Sequence, residues 1–154
     1  MDKKRLNIAL LVSEFEDGYT RSLCEGAVSA AKELDANLFI FPGRYLEAHN
    51  YDLYRTKYDY HFNSLFSYAT ASEYDVILIS MGTIAGNVDL ETKVEFLRQF
   101  KGDNIITISA KIEGYPSVCF DNSFFHHITN FLINWMNYIS IITCWSFSTW
   151  HCYK

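Results

Sequence analysis

Short, continuous apolar runs alternate along this chain with segments of helical periodicity, and this alternation limits the folds open to it. The first run, residues 6–12, ends at Ser13. Such a run is typical of a strand buried on both faces, as in a parallel sheet. Comparable runs follow at residues 37–41, 74–80, 104–108 and 117–120. The sequence therefore predicts five strands.

Helical patterns occupy the intervals between these runs. Residues 18–35 repeat small and apolar side chains at helical spacing, and Asp17 is placed to cap that helix. Residues 58–68 resume the helical pattern, with a predicted core stripe of Phe62, Leu65 and Phe66, while residues 81–86 read as a loop. Asp89 is predicted to cap a third helix whose buried face holds Leu90, Val94, Leu97 and Phe100. We therefore predict an α/β three-layer sandwich with a mostly parallel sheet, of flavodoxin-like or Rossmann-like form.

A parallel sheet binds its ligands beyond the carboxyl ends of its strands, near a switch in strand order. The residues predicted at this edge are 13–17, 42–45, 80–83, 109–111 and 121–122. Among them Glu14, Asp17 and Asp121 are suited to accept hydrogen bonds from ligand hydroxyls, or equally to cap helices and solvate loops.

Familiar cofactor motifs are missing from the sequence. Neither a G-x-G-x-x-G fingerprint nor a P-loop is present, and the acidic residues 14–17 would repel a phosphate. His126 and His127 are adjacent, which on a helix directs them about 100° apart and disfavours a shared metal. No cofactor or metal is therefore expected, and Cys119 near His126 lacks a group that would orient the pair for catalysis.

Composition changes abruptly near residue 122. All 18 Asp and Glu residues precede Asn122, and residues 122–153 carry no charge at all. We divide the chain into residues 1–122, one α/β lobe, and residues 123–154, an uncharged aromatic tail. The tail is open to three interpretations: a membrane span, a buried or partner-covered helix, or an aberrant, truncated or frame-shifted end. The span is disfavoured because residues 131–147 are short and hold several polar side chains.

The net charge and the amino-terminal sequence limit the partners and the cellular location that we expect for the protein. The net charge of −5 argues against direct nucleic-acid binding. The apolar run at 8–12 is too short for a signal-peptide core, so a cytoplasmic location is predicted.

Several segments together resemble one family. Residues 6–13, Gly18-Tyr19, 25–27 and 30–34 resemble the opening of the LacI-type, periplasmic-binding-protein-like sensor domain. Residues 74–80, 106–108 and 118–122 are similar to its later strands and the Asp-Asn that follows them. Residues 42–46 and the tyrosine-rich stretch after them resemble sensors attached to signalling output domains, including diguanylate cyclases. The resemblance covers about residues 5–122.

The resemblance implies a first lobe of a two-lobed, non-enzymatic sensor that closes on a sugar or other metabolite in a bacterial transcription or signalling regulator. It implies a second lobe beginning soon after Asn122, where the sequence departs from the family pattern. We also expect a homodimer, formed through the apolar face that a missing second lobe would leave and through the tail. By position, the predicted ligand-binding residues at the strand ends, with Asp121 foremost, are Ser13, Glu14, Phe15, Asp17, Ser80, Met81, Asp121 and Asn122. Two other classes stay open: a ligand-free dimerisation or interaction module, and a small flavodoxin-like enzyme using Cys119 or Asp121.

Overall fold

Five parallel strands form one sheet in the computed structural model, which describes residues 4–47, 58–70, 74–100 and 104–119. All of these residues lie in the first of two units of the chain, Met1–Cys119. The strands are β1 (Asn7–Val12), β2 (Asn37–Pro42), β3 (Val76–Ile79), β4 (Ile105–Ile108) and β5 (Ser117–Val118). Their spatial order is β2-β1-β3-β4-β5, and every pairing is parallel.

Helices connect the strands and cover the sheet. They are α1 (Gly18–Glu33), a 3₁₀ helix (Asp59–Thr70), α2 (Met81–Ile84) and α3 (Leu90–Arg98). The predicted α/β fold, with its parallel sheet between helical layers, is confirmed.

The side chains of β1 alternate between the two layers, as the period of a strand requires. Leu10 and Val12 pack with Cys24 of α1 on one face. Ala9 and Leu11 pack on the opposite face, in the larger cluster that includes Phe66 of the 3₁₀ helix and Phe96 of α3. Leu10 and Leu11 are both fully buried, so this strand has core on each side.

Aspartates begin both long α-helices, as the sequence predicts. Asp17 accepts hydrogen bonds from the backbone N–H groups of Tyr19 and Thr20 at 3.2 and 3.0 Å. Asp89 accepts one from the N–H of Thr92 at 2.8 Å. Each carboxylate thus satisfies donors that a helix leaves without an intrahelical partner.

The residues after β2 and β3 depart from prediction. Residues 81–84 form the short helix α2 instead of a loop. In the 3₁₀ helix Phe66 is buried, but Phe62 and Leu65, which were predicted to share its stripe, are exposed. The reason is the 3₁₀ winding. With about three residues per turn, residues 62 and 65 lie in one row along the helix and residue 66 lies in the next row. Leu90, predicted in the buried face of α3, is also exposed.

In the described ranges no helix has the length and apolar character needed to cross a membrane.

Candidate functional site at the carboxyl ends of the strands

The order of the strands creates a switch point beside β1. The chain passes from β1 to β2 on one side, and returns to place β3 on the other side of β1. Hydrogen bonds keep the three strand ends level: Gly43 N–H donates to the carbonyl of Val12 at 2.9 Å, and Ser80 N–H donates to that of Leu11 at 3.0 Å. This is the edge at which open α/β sheets bind ligands.

Ser13 is the most unusual residue of this edge. It follows β1 directly, is fully buried, and its hydroxyl has no hydrogen-bond partner among the residues that the structure describes. A buried hydroxyl left without a partner costs about 1–3 kcal/mol relative to a satisfied one. A polar group of this kind at the carboxyl edge of a parallel sheet makes Ser13 a candidate for contact with a ligand or an ordered water.

Glu14 belongs to a group of charged side chains that joins the β1–α1 loop to the residues after β2. Arg44 Nη1 donates to Glu14 Oε2 and lies 3.4 Å from Glu16 Oε2. Tyr45 Oη donates to the other Glu14 oxygen at 2.9 Å. Glu14 is therefore held from two sides by neighbours that follow β2.

This group perturbs the acidity of its members. Partial burial raises the pKa of the Tyr45 phenol, and its hydrogen bond to the Glu14 carboxylate raises it further. A hydrogen bond from its own backbone N–H lowers the pKa of Glu16, and the nearby Arg44 guanidinium adds to this effect. Tyr45 therefore stays a neutral donor, and Glu16 stays a carboxylate.

Asp17 closes the helix end at this edge. Besides its two backbone bonds, it accepts from the Thr20 hydroxyl at 3.1 Å. Its pKa is lowered, chiefly by the Thr20 N–H and then by that of Tyr19. An anion approaching the α1 N-terminus would have to displace this carboxylate, so the usual phosphate-binding use of a helix end is blocked.

Ser80 and Met81 follow β3. Ser80 is fully buried, and its hydroxyl lies 2.9 Å from that of Thr83, whose Oγ1 also donates to the Ser80 carbonyl at 3.1 Å. The Met81 side chain is fully buried in the main core cluster. Ser80 contributes a polar group to this edge, whereas the side chain of Met81 belongs to the core.

A second pair of hydroxyls joins α1 to the end of β4. Tyr19 Oη lies 2.6 Å from Ser109 Oγ, across 90 residues of sequence. Ser109 has a positive φ of 60°, and its Cβ would lie 2.6 Å from a Cβ placed on Gly82. Glycine at position 82 thus permits the turn after β4 to approach α2 closely.

The remaining predicted residues differ in position. Phe15 lies in the same loop as Glu14 and is exposed. Asp121 and Asn122 lie outside the described residues. Cys119 is free and exposed, and across the described part of the chain no three His, Cys, Asp or Glu residues are placed to hold a metal ion.

Sequence reasoning did not single out several residues that shape this edge. Tyr19 and Asn63 were not candidates, and Arg44 and Ser109 appeared only within candidate ranges. One signal was available for Arg44, because a charged residue directly after a buried strand and a Pro-Gly turn must find a partner or solvent. The Tyr19–Ser109 and Arg44–Asn63 contacts depend on tertiary structure and leave no local pattern.

Comparisons with protein-family models, curated proteins and solved structures gave no match for this chain.

Proposed function

We propose that this chain is a non-enzymatic, ligand-sensing lobe that binds a small hydroxyl-bearing molecule, such as a sugar or related metabolite, at the carboxyl edge of its sheet. The observation that carries the proposal is the buried, unpartnered hydroxyl of Ser13 at the switch point. A ligand hydroxyl is a suitable partner for it, since a hydroxyl can both donate and accept.

The charges around Ser13 favour an uncharged ligand. Three carboxylates, Glu14, Glu16 and Asp17, lie in the β1–α1 loop, and Arg44 already contacts two of them. An anionic ligand would meet this negative loop and would compete with Glu14 for Arg44. Neutral hydroxyl groups avoid both costs and can donate to the carboxylates.

The resemblance to LacI-type sensor domains supplies the regulatory part of the proposal. In that setting the ligand would bind between two lobes and stabilise their closed arrangement, because only differential affinity shifts such an equilibrium. We place the protein in the cytoplasm of a bacterium, as part of a transcription or signalling regulator. The free thiols of Cys24 and Cys119 fit a reducing compartment.

The test is an amide NMR titration of the full chain with D-ribose, D-galactose, D-glucose and myo-inositol at millimolar concentrations. Shift changes are expected at Ser13, Glu14 and Ser80 with at least one of these probes. We expect Ser13→Ala to raise the Kd obtained from that titration about tenfold, because the loss of one hydrogen bond costs about 1.4 kcal/mol.

The matched control is Ser29→Ala, which alters an exposed serine of α1 and should leave the titration unchanged. If no probe moves the amides of the strand ends, or if Ser13→Ala binds as the unaltered chain does, this function is rejected.

A ligand-free interaction module is the second candidate. It is favoured by the exposed apolar side chains of Phe62, Leu65 and Tyr68 on the 3₁₀ helix. It predicts a homodimer by sedimentation equilibrium that Phe62→Ser weakens at least tenfold. A chain that is monomeric at every concentration measured rejects it.

A further inference from the structure

Glu14 differs from the other two carboxylates of the β1–α1 loop in the way it is held. Both oxygens of Asp17 accept hydrogen bonds from the first turn of α1, which they cap. The side chain of Glu16 is 74 % exposed and lies 3.4 Å from Arg44 Nη1. The Glu14 side chain is 23 % exposed and accepts from two different side chains, one on each oxygen. Glu14 is thus the carboxylate of this loop that is fixed in place and still open to a ligand.

The two donors to Glu14 are consecutive residues that follow β2. Arg44 Nη1 donates to Glu14 Oε2, and Tyr45 Oη donates to Oε1 at 2.9 Å. Because partial burial raises the pKa of Tyr45, its phenol keeps the proton that it donates. Arg44 is held in turn, since its guanidinium lies 5.2 Å from the centre of the Phe62 ring and its backbone N–H donates to Asn63 Oδ1 at 2.7 Å. Contacts of their own therefore restrain the side chains that restrain Glu14.

The Glu14 carboxylate has acceptor capacity beyond these two bonds. A carboxylate offers about four lone-pair sites on its two oxygens. The described residues use one site on each Glu14 oxygen, so both oxygens can accept from a ligand as well. Hydrogen bonds from ligand hydroxyls to a charged carboxylate are stronger than those to a neutral acceptor.

Two acceptors on one carboxylate lie side by side, and this spacing selects among ligands. Two hydroxyls on adjacent carbons can donate to both oxygens at once. Hydroxyls on opposite sides of a ring can reach only one oxygen at a time. A carboxylate whose orientation is fixed before binding also loses less conformational entropy when the ligand arrives.

We propose that Arg44 and Tyr45 are positioning residues, which hold the Glu14 carboxylate in the orientation that accepts two hydroxyls on adjacent carbons of the ligand, a vicinal diol. This inference rests on the proposed function and narrows its ligand class. Arg44 and Tyr45 act through Glu14 and need no contact with the ligand themselves. Loss of either donor leaves the carboxylate free to turn, and the preference for adjacent hydroxyls then falls.

The test is an amide NMR titration of the full chain with cis-1,2-cyclohexanediol and cis-1,4-cyclohexanediol, isomers that differ only in hydroxyl spacing. For weak ligands the initial slope of the Glu14 shift change is proportional to affinity. The unaltered chain should give a slope about threefold larger with the 1,2 isomer, and Tyr45→Phe should remove that advantage without changing the slope of the 1,4 isomer. Tyr68→Phe, which alters an exposed tyrosine of the 3₁₀ helix, is the matched control and should change neither slope.

A double variant separates positioning from a merely structural role. If Tyr45 acts through Glu14, Tyr45→Phe should have no further effect on the 1,2 slope in a chain that already carries Glu14→Gln. Arg44→Gln removes the donor to the other oxygen and should also abolish the preference, which keeps the test decisive should Tyr45→Phe unfold the chain.

The outcomes distinguish this inference from the function on which it rests. Equal slopes for the two diols in the unaltered chain overturn it, and so does an equal effect of Tyr45→Phe with and without Glu14→Gln. If sugars shift the strand-end amides while the two diols give equal slopes, the vicinal-diol class is wrong and the proposed function stands. If no sugar shifts those amides, the proposed function is rejected, and this inference with it.

Discussion

The environment of the Ser13 side chain can be tested by mutation in the absence of any ligand. Its buried hydroxyl lacks a partner within the described ranges, so the folded state bears a desolvation penalty that alanine would remove. We expect Ser13→Ala to raise the free energy of unfolding by about 1 kcal/mol, because the two side chains are nearly equal in volume. Urea denaturation measures the change.

Ser109→Ala is the natural counterpart to this variant. The Ser109 hydroxyl lies 2.6 Å from Tyr19 Oη, and its removal should lower the free energy of unfolding by about 1 kcal/mol. If Ser13→Ala raises the free energy of unfolding and Ser109→Ala lowers it, the Ser13 hydroxyl is the one without a partner. A loss of stability in Ser13→Ala would show that its hydroxyl is bonded after all.

The position of Ser13 at a strand end followed from the sequence, because residues 6–12 are apolar and the run stops there. That its hydroxyl is orphaned did not follow, since hydrogen bonding there depends on what β2 and β3 bring beside it. For Arg44, too, the position could be predicted from the sequence but the contacts could not. Its place after β2 was predictable, but its contacts come from two distant segments, Glu14 in the β1–α1 loop and Phe62 and Asn63 in the 3₁₀ helix.

At the scale of elements, the aspartate caps predict how stability depends on pH. Backbone N–H groups lower the pKa of Asp17 and Asp89 below the usual 3.8. A carboxyl with a depressed folded-state pKa stabilises the fold above its unfolded pKa, and this contribution disappears as pH falls through the folded value. The melting temperature should therefore fall below about pH 4.

The variant Asp17→Asn/Asp89→Asn separates capping from titration, because Asn caps nearly as well as Asp but carries no acid. Its melting temperature should fall less steeply between about pH 5 and pH 3 than that of the unaltered chain. Glu25→Gln, which changes an exposed carboxylate of α1, serves as the control. Equal slopes for the double variant and the unaltered chain would contradict the assignment of this pH dependence to Asp17 and Asp89.

The end of β2 packs closely against the 3₁₀ helix, and this contact gives a second prediction at the scale of elements. A Cβ at Gly43 would overlap the Phe66 ring, so Gly43→Ala should lower the free energy of unfolding by about 1–3 kcal/mol. Gly26 of α1 has no atom within 4 Å of such a Cβ. Gly26→Ala should instead raise stability by about 0.5–1 kcal/mol, because alanine is the better helix former.

Chemical denaturation of both variants gives the comparison. If Gly43→Ala were neutral, the 3₁₀ helix would not lie against β2 as described. Both helix caps could be predicted, since an aspartate precedes each apolar helical pattern. The winding of residues 59–70 could not, because the apolar spacing of 62, 65, 66 and 69 is that of an α-helix, whereas the segment is a 3₁₀ helix.

For the molecule as a whole, the sequence predicted the class of fold because that class depends on the alternation of strands and helices. Continuous apolar runs indicated strands buried on both faces, and the all-parallel sheet agrees. The spatial order of the strands has no comparable local signal. It places β1 between β2 and β3, and thereby selects which strand ends surround Ser13.

The three-layer arrangement makes a quantitative prediction for neighbouring residues of β1. Leu10 and Leu11 are both fully buried, one facing α1 and the other facing the opposite layer. Leu10→Ala and Leu11→Ala should each lower the free energy of unfolding by about 2–5 kcal/mol, because each leaves a cavity in a separate core cluster. A sheet covered on one face only would show a large loss for one leucine and a small loss for the other.

Urea denaturation of the two single variants measures both values, and the double variant tests their independence. Since the two side chains point into different layers, their effects should add to within about 0.5 kcal/mol. Leu34→Ala, an exposed leucine just after α1, should cost much less than either. A loss below about 1 kcal/mol for Leu10→Ala would mean that α1 does not bury this face in solution, and the sheet would then have one helical layer instead of two.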